Sequence, residues 1–356
     1  MNSRIMNRII SLVLVLLMIA PCICACGREE DIPDVPQEPD VPQEPDLPAE
    51  PEEPSQDTPP SSEGEKQTVE QVPPKDDGTT VPDANAKTQR VIYKKVGKIE
   101  LTMKIERPRS VEAGEETPVL VLFPGGGWRA ADISAFAGYN AEAAYLKDRG
   151  WTIVVAEYRL RADNGNTDYR HLASNCGLEG MISDCMDAVR YLVKYADILG
   201  VDTDAICTGG HSAGGHLALM TALGDPAEFA MDSALTEYDF TIAAATAKSG
   251  PTDCASDAMR KSYVPLLFPK GFDAADLTKC SPITYVSADM CPTLIGYGSK
   301  DQIFTPSSQW EAFGERCAAV GAADQKLISQ PIDHATTGNA AITSAMQTFL
   351  MEQAGY

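Results

Sequence analysis

Gly210-His211-Ser212-Ala213-Gly214 sets a serine between two glycines, each two residues away. A serine hydroxyl is a poor nucleophile until a base takes its proton and the backbone holds it exposed. G-x-S-x-G supplies the exposed position when a strand ends just before it and a helix starts just after it. A second glycine run, Pro124-Gly125-Gly126-Gly127-Trp128, directly follows a buried-strand pattern. With no side chains in the way, its amides can turn toward a developing oxyanion. Gly126, Gly127 and Ala213 are the expected oxyanion donors. Together the two motifs read as nucleophilic attack on a carbonyl carbon. A rival reading takes Gly125-x-Gly127-x-x-Ala130 as a dinucleotide fingerprint, with Glu157 as the ribose acid. That reading puts bulky Trp128 inside the phosphate turn and leaves the serine motif unexplained.

The base follows by elimination among His171, His211, His216 and His334. His211 adjoins the serine inside the turn and is expected to point elsewhere. His216 lies four residues along the following helix. His171 falls in a polar insertion, where it packs or lines the pocket. His334 alone comes late, in a loop after a strand pattern. The acid that fixes its tautomer should follow an earlier strand, as Asp301 does in Gly298-Ser299-Lys300-Asp301. Asp333 and Asp324 are alternatives. Asp333 is adjacent to the histidine and poorly placed to bond its ring. Asp324 precedes the last strand and should lie at the wrong end of the sheet. The order Ser212, Asp301, His334 predicts a serine–acid–histidine triad.

These residues need a rigid frame. Ile99, Leu101, Met103 and Ile105 alternate with polar residues, which marks a half-buried strand and suggests an antiparallel edge. Continuous apolar runs at 119–123 and 152–157 read as strands buried on both faces. Further strands are expected at 205–208, 242–246, 293–297 and 326–329. Helices are expected at 135–149, 178–199, 213–223, 309–319 and 340–353. Alternating strands and helices predict an α/β fold with a mostly parallel sheet covered on both faces, its chemistry at the carboxyl ends of the strands.

Residues 90–350 resemble the α/β-hydrolase superfamily, and more narrowly its hormone-sensitive-lipase-like and bifunctional acetyl/feruloyl carbohydrate esterases. The resemblance rests on residues 123–128, Glu157-Tyr158-Arg159-Leu160, Asp184 ahead of Ala188-Val-Arg-Tyr-Leu192, residues 210–218, Ser281-Pro-Ile-Thr-Tyr-Val286 and residues 297–301. It implies an eight-stranded α/β-hydrolase sheet and metal-free, cofactor-free serine hydrolysis of small acyl or aryl esters, with acetyl or feruloyl groups on carbohydrate as the expected class. The chain departs from the family at Pro124, where histidine usually precedes the glycines. It also departs at Tyr297, where His-Gly often begins the acid loop, and at Ala335, where glycine usually follows the histidine. A prolyl-oligopeptidase-type peptidase and an inactive hydrolase fold used as a surface binding module are the alternatives. No propeller-like repeats precede the domain, and no triad member is missing.

The remaining sequence says where such a domain would work. Arg4 and Arg8 precede a twelve-residue apolar run, 9–20, which is too short to span a bilayer. Ile23-Cys24-Ala25-Cys26-Gly27 then resembles a bacterial lipobox, with Cys26 the expected lipid acceptor. Residues 27–89 read as an acidic, proline-rich tether. Residues 28–89 carry 18 acids, 4 bases and 13 of the 25 prolines, and Asp34-Val-Pro-Gln-Glu-Pro39 recurs at 40–45 and in altered form at 46–51. The tether lacks the apolar surface to offset its ordering entropy. Thus 1–26 are expected to be the export signal and 90–356 the catalytic domain, held at a bacterial cell surface. The net charge of −22 argues against nucleic-acid partners. Cys176 with Cys185, or Cys254 with Cys280, could pair in that compartment. Trp128 and Trp310 either shape the pocket or pack.

Overall fold

The computed structural model describes residues 77–112, 114–162 and 168–356. The expected export signal, Cys26 and the proline-rich repeats lie outside the described residues.

Ten strands occur among the described residues: β1 (Thr88–Val96), β2 (Ile99–Glu106), β3 (Thr117–Phe123), β4 (Thr152–Ala156), β5 (Leu160–Arg161), β6 (Ala173–Ser174), β7 (Val201–His211), β8 (Ala244–Lys248), β9 (Thr293–Gly298) and β10 (Gln325–Gln330). The α-helices are α1 (Asn140–Lys147), α2 (Gly177–Lys194), α3 (Ala196–Leu199), α4 (Ala213–Leu223), α5 (Asp257–Ser262), α6 (Val264–Leu267), α7 (Ala274–Lys279), α8 (Trp310–Val320) and α9 (Ala340–Gln353). Eight strands form one sheet in the order β1-β2-β4-β3-β7-β8-β9-β10, and β5 pairs with β6 separately. β1–β2 and β2–β4 are antiparallel, and every later pairing in the large sheet is parallel.

Every residue of β3 and β4 is buried. The reason is two cores, one on each face. Val119, Val121 and Phe123 join one with Val154 and Ala156, while Leu120 and Leu122 join the other with Ile153 and Val155. α2, α4 and α8 cover the first face, and α1 and α9 the second. From β3 the chain adds β4 on one side and later β7 on the other. A crevice therefore opens beyond the carboxyl ends of β3 and β7, where open α/β sheets bind ligands.

The structure corrects several expectations. The edge strand is β1, so the alternating β2 is the second strand in. β1 escapes the apolar pattern because Lys94 interrupts it. That lysine is buried all the same, 2.8 Å from both Asp184 and Asp187. The folded body also starts before residue 90. Asp77 pairs with Lys194, and Thr79 bonds Tyr195 across 3.1 Å, so at least residues 77–89 are not free tether. α1 begins at Asn140 rather than 135, because Ala137 and Gly138 both adopt positive φ.

Candidate active site

Ser212 lies at the junction of β7 and α4, with φ 55° and ψ −120°. L-residues avoid this region, so the surroundings must hold it there. Its N–H donates to the Lys248 carbonyl at 2.8 Å, and its carbonyl accepts from the His216 N–H at 3.0 Å. Gly214 lets the turn close on β3, since a Cβ there would strike the Phe123 carbonyl.

β9 and β10 bring the partners. His334 Nε2 lies 2.9 Å from Ser212 Oγ, and His334 Nδ1 lies 2.6 Å from Asp301 Oδ2. The other carboxylate oxygen, Asp301 Oδ1, accepts from the N–H groups of Ile303 at 2.8 Å and Phe304 at 3.0 Å. The Asp301 side chain is fully buried. An ionised carboxylate only accepts, so the proton of the neutral imidazole sits on Nδ1. Nε2 then faces the serine as an acceptor.

The glycine loop reaches the same point from β3. Gly126 and Gly127 adopt φ of 104° and 65°. Among the described residues, the N–H groups of Gly126, Gly127 and Ala213 donate to no other backbone group outside helices and strands. Tyr158 O–H donates to the Pro124 carbonyl at 2.7 Å, which anchors the loop although Pro124 replaces the usual histidine. Trp128 is fully buried, edge-on to His216 and Tyr263, so it packs the floor. Tyr297 stacks on Trp310 with ring centroids 4.8 Å apart, and Trp310 donates to the Gly250 carbonyl at 2.7 Å. Asp333 Oδ1 accepts from the Ala335 N–H at 2.9 Å, so it shapes the turn that carries His334. The Asp324 carbonyl accepts from the Thr293 N–H at the start of β9, away from Ser212.

His211 departs from expectation. It lines the cleft, and its Nε2–H donates to the His334 carbonyl across 3.1 Å. Burial pushes its pKa down to about 4, which keeps it a neutral donor. His216, also lowered to about 4 by burial, donates Nε2–H to the Cys280 carbonyl at 2.9 Å. His171 is exposed on a 3-10 turn at Arg170–Leu172 and does not line the cleft. Neither considered cysteine pair forms. All seven described cysteines are free thiols, and Cys254 Sγ instead meets the Cys280 carbonyl at 3.2 Å.

Ser212 and His334 open onto a cleft of about 450 Å³. Gly126, Gly127, Arg129 and Arg161 contribute to its lining, as do Tyr263, Leu266 and Ile303. Sequence reasoning missed the two arginines and the short helices α5 and α6. No glycine spacing or apolar period marks an arginine as cleft-lining.

Residues 103–316 match the BD-FAE protein family. The chain is 28% identical over 284 residues to Esterase LipQ of Mycobacterium tuberculosis, a match covering 74% of this chain and 62% of LipQ. It is 28% identical over 211 residues to the probable carboxylic ester hydrolase LipM of the same organism, covering 57% of this chain and 45% of LipM. The chain therefore spans less than two thirds of the length of these relatives. Among solved structures, Thermogutta terrifontis esterase 2 phosphoramylated by tabun is similar at a TM-score of 0.62 and 22% identity, covering 75% of this chain and 95% of that one. That likeness establishes the α/β-hydrolase fold.

Proposed function

The chain belongs to the BD-FAE family, and on that premise we propose that it is a serine carboxylic ester hydrolase. The observation that carries this reading is the unbroken line from Ser212 Oγ through His334 to Asp301 at the mouth of a cleft. Ser212 attacks the ester carbonyl while His334 Nε2 takes its proton. The new oxyanion meets the amides of Gly126, Gly127 and Ala213. Collapse expels the alcohol, which leaves with the proton from His334. Water then repeats the sequence on the acyl-enzyme, with His334 as its base, and releases the acid. Asp301 stabilises the imidazolium formed in each half-reaction.

Acetyl or feruloyl esters of carbohydrate are the proposed substrate class, and the bacterial cell surface the proposed location, with Cys26 as lipid anchor. The family match supports the first and the lipobox-like Ile23–Gly27 run the second. A fluorophosphonate probe should label the full chain at Ser212, with labelling abolished in Ser212→Ala. A folded protein that resists the probe would contradict the reading. Rates on p-nitrophenyl acetate, butyrate and octanoate, acetylated xylan and methyl ferulate then identify the acyl group.

A further inference from the structure

β8 ends on Lys248, whose side chain is fully buried. Its backbone carbonyl holds Ser212 through the bond from the serine N–H at 2.8 Å. Its ammonium holds other parts of the site. Nζ lies 2.6 Å from Glu142 Oε1, and it donates to the carbonyls of Gly138 at 3.1 Å and Thr337 at 3.3 Å. An ammonium has three N–H donors, and these three acceptors engage them all. Thr337 follows His334 by three residues, in the loop between β10 and α9. Gly138 lies in the turn before α1, where a Cβ would stand 2.7 Å from the Thr337 side chain. One residue therefore fixes the nucleophile with its backbone and the loop of the base with its side chain.

Such a charge is costly to enclose. Among the described residues Glu142 is its one ionic partner, and that side chain is fully buried too. Glu142 lies in the first turn of α1, where the helix dipole favours a negative charge. The ammonium also stands over the Tyr139 ring, 4.5 Å from its centroid. A buried ion pair often stabilises a fold no better than apolar residues of similar volume. What apolar residues would lack here is a donor fixed at the Thr337 carbonyl.

We propose that Lys248 is a positioning residue for hydrolysis, setting the approach of His334 Nε2 to Ser212 Oγ by binding the serine backbone and the Thr337 carbonyl at once. The ammonium touches no reacting atom. Glu142 is the counter-charge that holds it in place. The inference rests on Ser212 being the nucleophile and His334 its base.

The test uses the full chain with 4-nitrophenyl acetate, and fluorophosphonate labelling run to completion counts competent Ser212. Lys248→Met alone strands the Glu142 charge and should lower Tm sharply. Lys248→Met/Glu142→Leu removes both charges and should recover most of that loss. If the ammonium positions the base, kcat per labelled site stays low in the double variant, by about 10- to 100-fold, as a small misplacement of reacting groups would give. Both half-reactions use the same base, so both slow, and KM should stay within about twofold. A double variant whose kcat per labelled site matches that of the unsubstituted chain would overturn the proposal, because the pair would then serve the fold alone. A loss carried by KM instead of kcat would do the same. The two readings fail separately. An unsubstituted chain that takes the probe, beside a double variant with full kcat, loses only the role of Lys248. An unsubstituted chain that folds and resists the probe loses both.

Discussion

Two histidines in this domain are held uncharged by burial, and each is fixed through a backbone carbonyl. His211 donates to His334 and His216 to Cys280, both with pKa lowered to about 4. In the unfolded chain a histidine titrates near 6.5. Between those values the unfolded state binds more protons than the folded one, so stability rises with pH. The stabilisation is complete above about pH 6.5 and is lost as pH falls toward 4, on the order of 3 kcal/mol for fully buried His216. Thermal melts from pH 4 to 8 should show this slope. His216→Gln should reduce it by roughly one proton, and an unchanged slope would refute the assignment. That Ser212, Asp301 and His334 converge was legible in the sequence because the elbow and the order of strand ends constrain them. The bond from His211 was not, since it depends on a loop 123 residues away.

At the scale of elements, a buried charge cluster ties β1 and the β4–β5 connection to α2. Arg159 Nε meets Asp184 Oδ2 at 2.8 Å, and Arg159 Nη2 donates to Asp184 Oδ1 at 2.9 Å. Lys94 reaches Asp184 and Asp187, and Arg190 pairs with Asp187 at 2.8 Å. The Asp184 side chain is fully enclosed, so removing its charge leaves two buried cations short of a partner. Asp184→Asn should cost about 3–5 kcal/mol in urea unfolding. Asp257→Asn, in the exposed pair with Lys261, should cost at most about 1 kcal/mol. Equal effects would contradict the argument. The same cluster explains where sequence reading stopped. The parallel strands were visible as apolar runs with a core on each face. β1 hides a charge whose partners lie 90 and 93 residues further on. Residues 135–139 looked helical because periodicity does not register a backbone turning to positive φ.

At the scale of the whole molecule, composition divides the chain into an acidic N-terminal stretch and a moderately charged domain, but the division falls earlier than composition alone places it. If Cys26 is the lipid acceptor, an alkyne fatty acid supplied to the producing cells should label the protein, and Cys26→Ala should abolish that label. Labelling that survives would refute the anchor. Asp77 fastens the start of the described chain to Lys194, in the last turn of α2. Only six residues separate Lys194 from the start of β7, while Ser212 lies just past the end of that strand. Chain entry and Ser212 are therefore at opposite ends of β7. Trimming or extending the chain at its point of entry would leave the lining of the cleft untouched, because no residue from 77 to 89 contributes to it.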